Sequence, residues 1–138
     1  MDVLASPGDL NYFAILVGTL AFFAVGGLWY SPLLFAKVWQ RTVGLSDSQL
    51  RGRNQAAVFG GTFVVALVTN FVLALFLGRD AGLADGALAG LLAGIGLSAA
   101  PIVTTFLFEN RPVRLMLIDG GYHVCAMTLA GAIIGAWQ

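Results

Sequence analysis

The chain has 138 residues, 59 % of them hydrophobic and only 10 % charged, and its mean hydropathy is +0.88. A soluble domain carries about 45–50 % apolar and about 25 % charged residues, so the charges here are too few to cover the apolar side chains in water, and an integral membrane protein is expected. Seven basic residues balance seven acidic ones, which leaves no basic face for nucleic acid, and the single cysteine, Cys125, excludes a disulfide framework and a cysteine-rich metal site.

The first nine residues hold Asp2 and Asp9 but no Lys or Arg. A secretory signal opens on a basic region, so the first apolar run reads as a retained span. Four such runs follow one another: Leu10 to Tyr30, Ala56 to Gly78, Gly86 to Phe108 and Val113 to Trp137. Each is as long as the roughly 20 residues that carry a helix across a hydrocarbon core of about 30 Å, and none alternates as a barrel strand does. The prediction is one all-α transmembrane domain over residues 1–138. Its form is a four-helix up-and-down bundle with a short interfacial helix after the first span.

Local signals mark the ends of these elements. Asn11 stands where a cap for the first span belongs, and Ser31-Pro32 supplies a cap with proline at the first helical position. A helix over Pro32 to Val43 would show Leu33, Leu34, Phe35, Val38 and Trp39 to the apolar side and Lys37 and Arg41 elsewhere, as a helix lying in the interface does. Ser46 and Gln49 form a capping box leading toward the second span, Asp85 can cap the third, and Pro112 can open the fourth. Pro101 lies inside the third span and should kink it near Leu97.

Every basic residue except Arg79 falls in the first and third connections or just past them: Lys37, Arg41, Arg51, Arg53, Arg111 and Arg114. The positive-inside rule places these loops in the cytoplasm and both termini outside, in a cell (inner) membrane. Trp29, Tyr30 and Trp39 at one boundary, with Tyr12 and Trp137 at the other, match headgroup-level anchors.

Helices in lipid associate by close packing, and the third span carries Gly86, Gly90, Gly94 and Ser98 at four-residue steps. Gly131 and Gly135 repeat the step in the fourth span. The pattern suits a helix seam within one chain or between two copies. Pro32 with Pro101, and Gly60-Gly61 with Gly120-Gly121, hint at a duplicated hairpin, although glycine pairs are common at this glycine content.

Ionisable groups inside a span are costly, and the chain has two, Asp119 and His123, both in the fourth span. Asp119 lies about six residues in, roughly 9 Å deep at 1.5 Å per residue. The i, i+4 spacing puts the two on one helix face beside Tyr122. One reading is a proton-linked or polar-substrate site, extended by Asn70 and Ser98, with Thr62 level with Asp119. The other is structural, with Asp119 paired to Arg114 or Arg53, or accepting from Tyr30, and His123 bonded to Asp119 or a neighbouring helix. No nucleophile set, oxyanion donor, phosphate loop or ligand cluster accompanies them, so no enzyme activity, cofactor or metal is expected.

The segment Gly27-Leu28-Trp29-Tyr30-Ser31-Pro32-Leu33-Leu34-Phe35, followed by Lys37 and Trp39, resembles the hallmark of a family of small bacterial membrane proteins catalogued as a domain of unknown function. The likeness extends over nearly the whole chain, through Asn11 near the start and Gly121-Tyr122, Ala130-Gly131 and Trp137 in the final helix. Ala36 departs from the glycine expected after the Phe. The resemblance implies four helices in a membrane and supplies no activity. The leading expectation is a non-catalytic accessory or scaffold component that self-associates or joins another membrane protein. The alternative is a small oligomeric transporter or channel with its polar site around Asp119 and His123.

Overall fold

Asn11 closes the start of the first helix, α1 (Tyr12–Trp29), by accepting at 3.1 Å from the backbone N–H groups of both Phe13 and Ala14. This is the side-chain cap that the free N–H groups of a helix start require. In the computed structural model, which describes residues 3–138, all regular structure is helical. Asp2, counted above in the reading of the amino-terminal charges, lies outside these residues. Among the described residues four helices are long and apolar enough to cross a membrane: α1, α4 (Gln55–Leu77), a composite third span over Leu83–Phe108, and α7 (Val113–Ala136). These fall within a few residues of the runs read from hydropathy.

The connection after α1 departs from expectation. The helix α2 (Ala36–Val43) begins at Ala36, not at Pro32. Ser31 does not cap it, because its hydroxyl donates back to the carbonyl of Leu28 at 2.6 Å. Residues 31–35 turn instead, with the Phe35 N–H on the Trp29 carbonyl at 3.0 Å and the Phe35 ring 4.9 Å from that of Trp29. Gly44, at φ +77°, ends α2 in the left-handed conformation that glycine adopts without strain. The Ser46–Gln49 capping box forms, with reciprocal bonds of 3.2 and 2.8 Å. It opens a separate short helix, α3 (Asp47–Arg51), while the second span starts later under an Asn54 cap.

The third span is built of α5 (Leu83–Ala93), a π turn over Gly94–Ala99, and α6 (Ala100–Phe108). Asp85 acts from inside the first turn, accepting from the Gly82 N–H at 3.2 Å. The π turn occupies the region where Pro101 was expected to distort the helix. In a regular helix the proline ring would meet the Leu97 carbonyl, and the N–H of Ala100 here reaches five residues back to Ile95.

The last helix, α7, is the axis of the molecule and supplies more buried positions than any other element, packed between α1 and α5. Its seam with α5 is glycine on glycine. A methyl group added at Gly86 would fall on the Gly131 carbonyl, and one at Gly90 on the Met127 carbonyl. At Gly94 it would lie 2.8 Å from the Val124 Cα. The partner number falls as the α5 number rises, so the helices run antiparallel. Gly135 faces Gly82 and Gly86 in the same way. The small-residue steps therefore bring two backbones together within one chain. Ser98 continues the face and donates to the sulfur of Met127 at 3.0 Å.

Helix α4 is held differently. Its buried positions are Ala66, Asn70, Leu73 and Ala74, all in its second half. There Asn70 bonds the Ala66 carbonyl at 2.9 Å and the Thr19 hydroxyl on α1 at 3.4 Å. In its first half, a methyl added at Gly60 or Gly61 would meet nothing within 4 Å among the described residues. The first half of α4 thus stands away from α6, and a cavity opens between them.

Candidate functional site

The cavity holds about 950 Å³. Its back wall is α1 and α7, its sides are the first half of α4 and α6, and residues of α2 and α3 reach its rim. Most of the wall is apolar, with Phe23, Phe59, Ile102 and Phe106 among its members. One face of helix α7 brings Asp119, Tyr122 and His123 to the space, and Tyr30, Gln40, Arg53, Thr62 and Thr105 add polar groups from other segments. The i, i+4 spacing of Asp119 and His123 produces this common face.

Asp119 is half-buried and accepts from the phenol of Tyr30 at 2.7 Å. Tyr30 is aimed there by the end of α1. Its neighbour Trp29 donates its indole N–H to the Ile118 carbonyl at 2.9 Å, so the last residue of α1 and its cap hold two consecutive residues of α7. Small residues make the fit possible. A methyl at Gly26 would lie 3.1 Å from the Tyr122 oxygen, and one at Gly121 would lie 3.0 Å from the Trp29 ring. The Gly120-Gly121 pair has a packing role here, since Gly120 likewise meets Ala99.

Among the described residues no ion pair reaches Asp119. The two that form, Arg79 with Asp9 at 3.2 Å and Arg111 with Glu109 at 3.3 Å, are exposed and lie elsewhere. Of the partners weighed for Asp119 from sequence, Tyr30 engages it, whereas Arg53 lines the same cavity from an exposed position and Arg114 lines a separate small cleft with Arg41. His123 makes no hydrogen bond among the described residues. Its ring sits 4.9 Å from that of Tyr122 and 6.0 Å from that of Phe22. Both the second carboxylate oxygen of Asp119 and the ring nitrogens of His123 are therefore open to a ligand.

The other polar residues proposed from sequence separate from this group. Asn70 is buried between α4 and α1, and Ser98 is on the π turn against α7, so neither lines the cavity. Thr62, level with Asp119, does line it. Trp29 and Tyr30, read as headgroup anchors, make their hydrogen bonds inward to α7, while Trp39 turns to the cavity and packs 5.9 Å from the Tyr30 ring. At the other end Trp137 receives the Asn11 amide on its carbonyl and meets the Phe13 ring at 5.1 Å. Sequence reasoning missed Phe23, Phe59, Ile102 and Phe106 as wall residues, because an apolar residue facing a cavity and one facing lipid look alike in a hydrophobic run.

Chemically the site is an apolar chamber with a carboxylate, a phenol and an imidazole on one side. Such a chamber desolvates an apolar body while a few polar groups fix a head. A family model described as protein of unknown function (DUF1761) matches residues 13–135, and the chain belongs to that family. No curated protein and no solved structure matches it.

Proposed function

We propose that this DUF1761 member is a small-molecule-binding membrane protein, acting as a small transporter or channel, whose site is the chamber around Asp119 and His123. One observation carries the reading: a cavity of about 950 Å³ with largely apolar walls, into which one face of α7 brings Asp119, Tyr122 and His123 together. A half-buried carboxylate without a basic partner is expensive in a membrane, and a ligand that uses it gives a reason for its presence. The reading includes an up-and-down bundle in a cell (inner) membrane, with the first and third loops in the cytoplasm, both termini outside, and α2 in the interface plane. The distribution of the basic residues supports it. So do the contacts that gather the two chain ends and the second loop, namely Asn11 to Trp137 and Arg79 to Asp9. No catalytic role is proposed.

The test is to fill the chamber. Ile102→Trp puts a large ring into it from α6. A compound with an apolar body and one hydrogen-bonding head, 3-phenylpropan-1-ol, should raise the unfolding temperature of the wild type in lipid nanodiscs in a saturable way, because binding to the folded state alone stabilises it. The rise should vanish in Ile102→Trp. Equal rises in the two proteins would defeat the reading.

The second reading is a self-associating accessory or scaffold component. The open space beside Gly60 and Gly61 on α4 supports it, since a methyl added at either meets nothing within 4 Å among the described residues. The α5–α7 glycines do not, being used within the chain. Cross-linking at native expression that gives only monomer would count against it.

A further inference from the structure

We infer that the ligand of this chamber is an organic cation with an apolar body, an inference that rests on the binding reading above. Asp119 is the starting point. Tyr30 occupies its Oδ1, and its Oδ2 receives no hydrogen bond among the described residues. A carboxylate so placed needs a positive partner, and among the described residues none forms an ion pair with it. The ionisable groups around the chamber, apart from the tyrosines Tyr30 and Tyr122, are Asp119, His123 and Arg53. Arg53 is exposed and so screened by solvent, and His123 carries a fixed charge only when protonated. An anionic head would meet the carboxylate, and a neutral one would leave it uncompensated.

The aromatic walls point the same way. The ring of Tyr30 lies 5.4 Å from that of Tyr122 and 5.9 Å from that of Trp39, and all three line the chamber that holds Asp119. Electron-rich faces attract a cation, and a quaternary ammonium is the type of head that such clusters accept, because it is weakly hydrated and gives up little on leaving water. Phe23 and Phe59 extend the wall for the apolar body, and a volume of about 950 Å³ admits one of drug-like size.

The experiment uses three matched probes on the full chain in phosphatidylcholine nanodiscs: benzyltrimethylammonium, its uncharged carbon isostere neopentylbenzene, and phenylmethanesulfonate. Affinity is read from the concentration that gives half of the maximal rise in unfolding temperature. The ammonium should bind at least about tenfold more tightly than the isostere, and the sulfonate should be weakest. Asp119→Asn keeps an oxygen for Tyr30 and should bring the ammonium-to-isostere ratio close to one. Should that variant fail to fold, Trp39→Leu, which leaves the carboxylate in place, should reduce the same ratio. An isostere that binds as well as the ammonium, or a sulfonate that binds best, would overturn the cation inference and leave the chamber reading standing. Binding of none of the three would overturn both.

Discussion

The phenol of Tyr30 donates to Asp119 at 2.7 Å, and this bond joins the end of α1 to the helix that forms the axis of the molecule. It fixes both the carboxylate and the back wall of the chamber. Tyr30→Phe removes the donor and leaves a half-buried acceptor unmet, a change that costs about 1–3 kcal/mol. Tyr122→Phe is the control, because the Tyr122 hydroxyl reaches the Phe22 carbonyl only at 3.4 Å. Unfolding in nanodiscs should show Tyr30→Phe to be clearly the more damaging of the two. Equal losses would mean that the Tyr30–Asp119 bond does not hold the two helices.

The glycines divide into two groups with opposite expectations. Gly90→Ala and Gly131→Ala drive a methyl into a carbonyl of the facing helix, and backbone cannot move aside as a side-chain tip can. Each should cost about 3 kcal/mol or more, at or beyond the upper end of ordinary overpacking, and lower the yield of folded protein. Gly61→Ala meets open space and should be neutral or stabilise by about 0.5–1 kcal/mol through helix propensity. Expression and thermal unfolding of the three variants read the difference directly.

Asn70 is buried but modestly bonded. Its stronger hydrogen bond is to the carbonyl one turn back in its own helix, and its amide oxygen has no partner among the described residues. Interhelical polar contacts in membranes average about 0.6 kcal/mol. Asn70→Ala should therefore cost about 1 kcal/mol, the rest coming from lost packing, and should leave ligand binding intact. A loss of probe binding in this variant would return Asn70 to the site.

Topology is open to chemical labelling. In a Cys125→Ser background, Ala81→Cys in the second loop should react from outside intact cells with a membrane-impermeant maleimide, and Asn110→Cys in the third loop only after the membrane is opened. The reverse pattern would invert the orientation drawn from the basic residues.

Much of the fold could be read from residue order, because the four spans are declared by run length and the glycine seam by its four-residue step. The spacing could not say whether that seam closes within a chain. The backbone of Gly131 set against Gly86 does. Of the site, Asp119, Tyr122 and His123 were legible because ionisable groups are rare in a span. Asn70 and Ser98 join them in the sequence reading as polar residues within spans, and that does not specify which way a helix face turns. The segment after α1 was misread at Pro32 because Ser31 has two options, capping forward or bonding back to Leu28, and takes the second. The cavity itself had no sequence signature, since it arises where α4 stands away from α6.

The central claim is that the chamber holds a ligand. Native mass spectrometry of the protein extracted gently from its own membranes, wild type beside Ile102→Trp, tests it most directly. The wild type should carry a bound small molecule that the filled variant lacks, and the mass of that molecule would identify its class. Both proteins emerging bare, or carrying the same load, would contradict the claim.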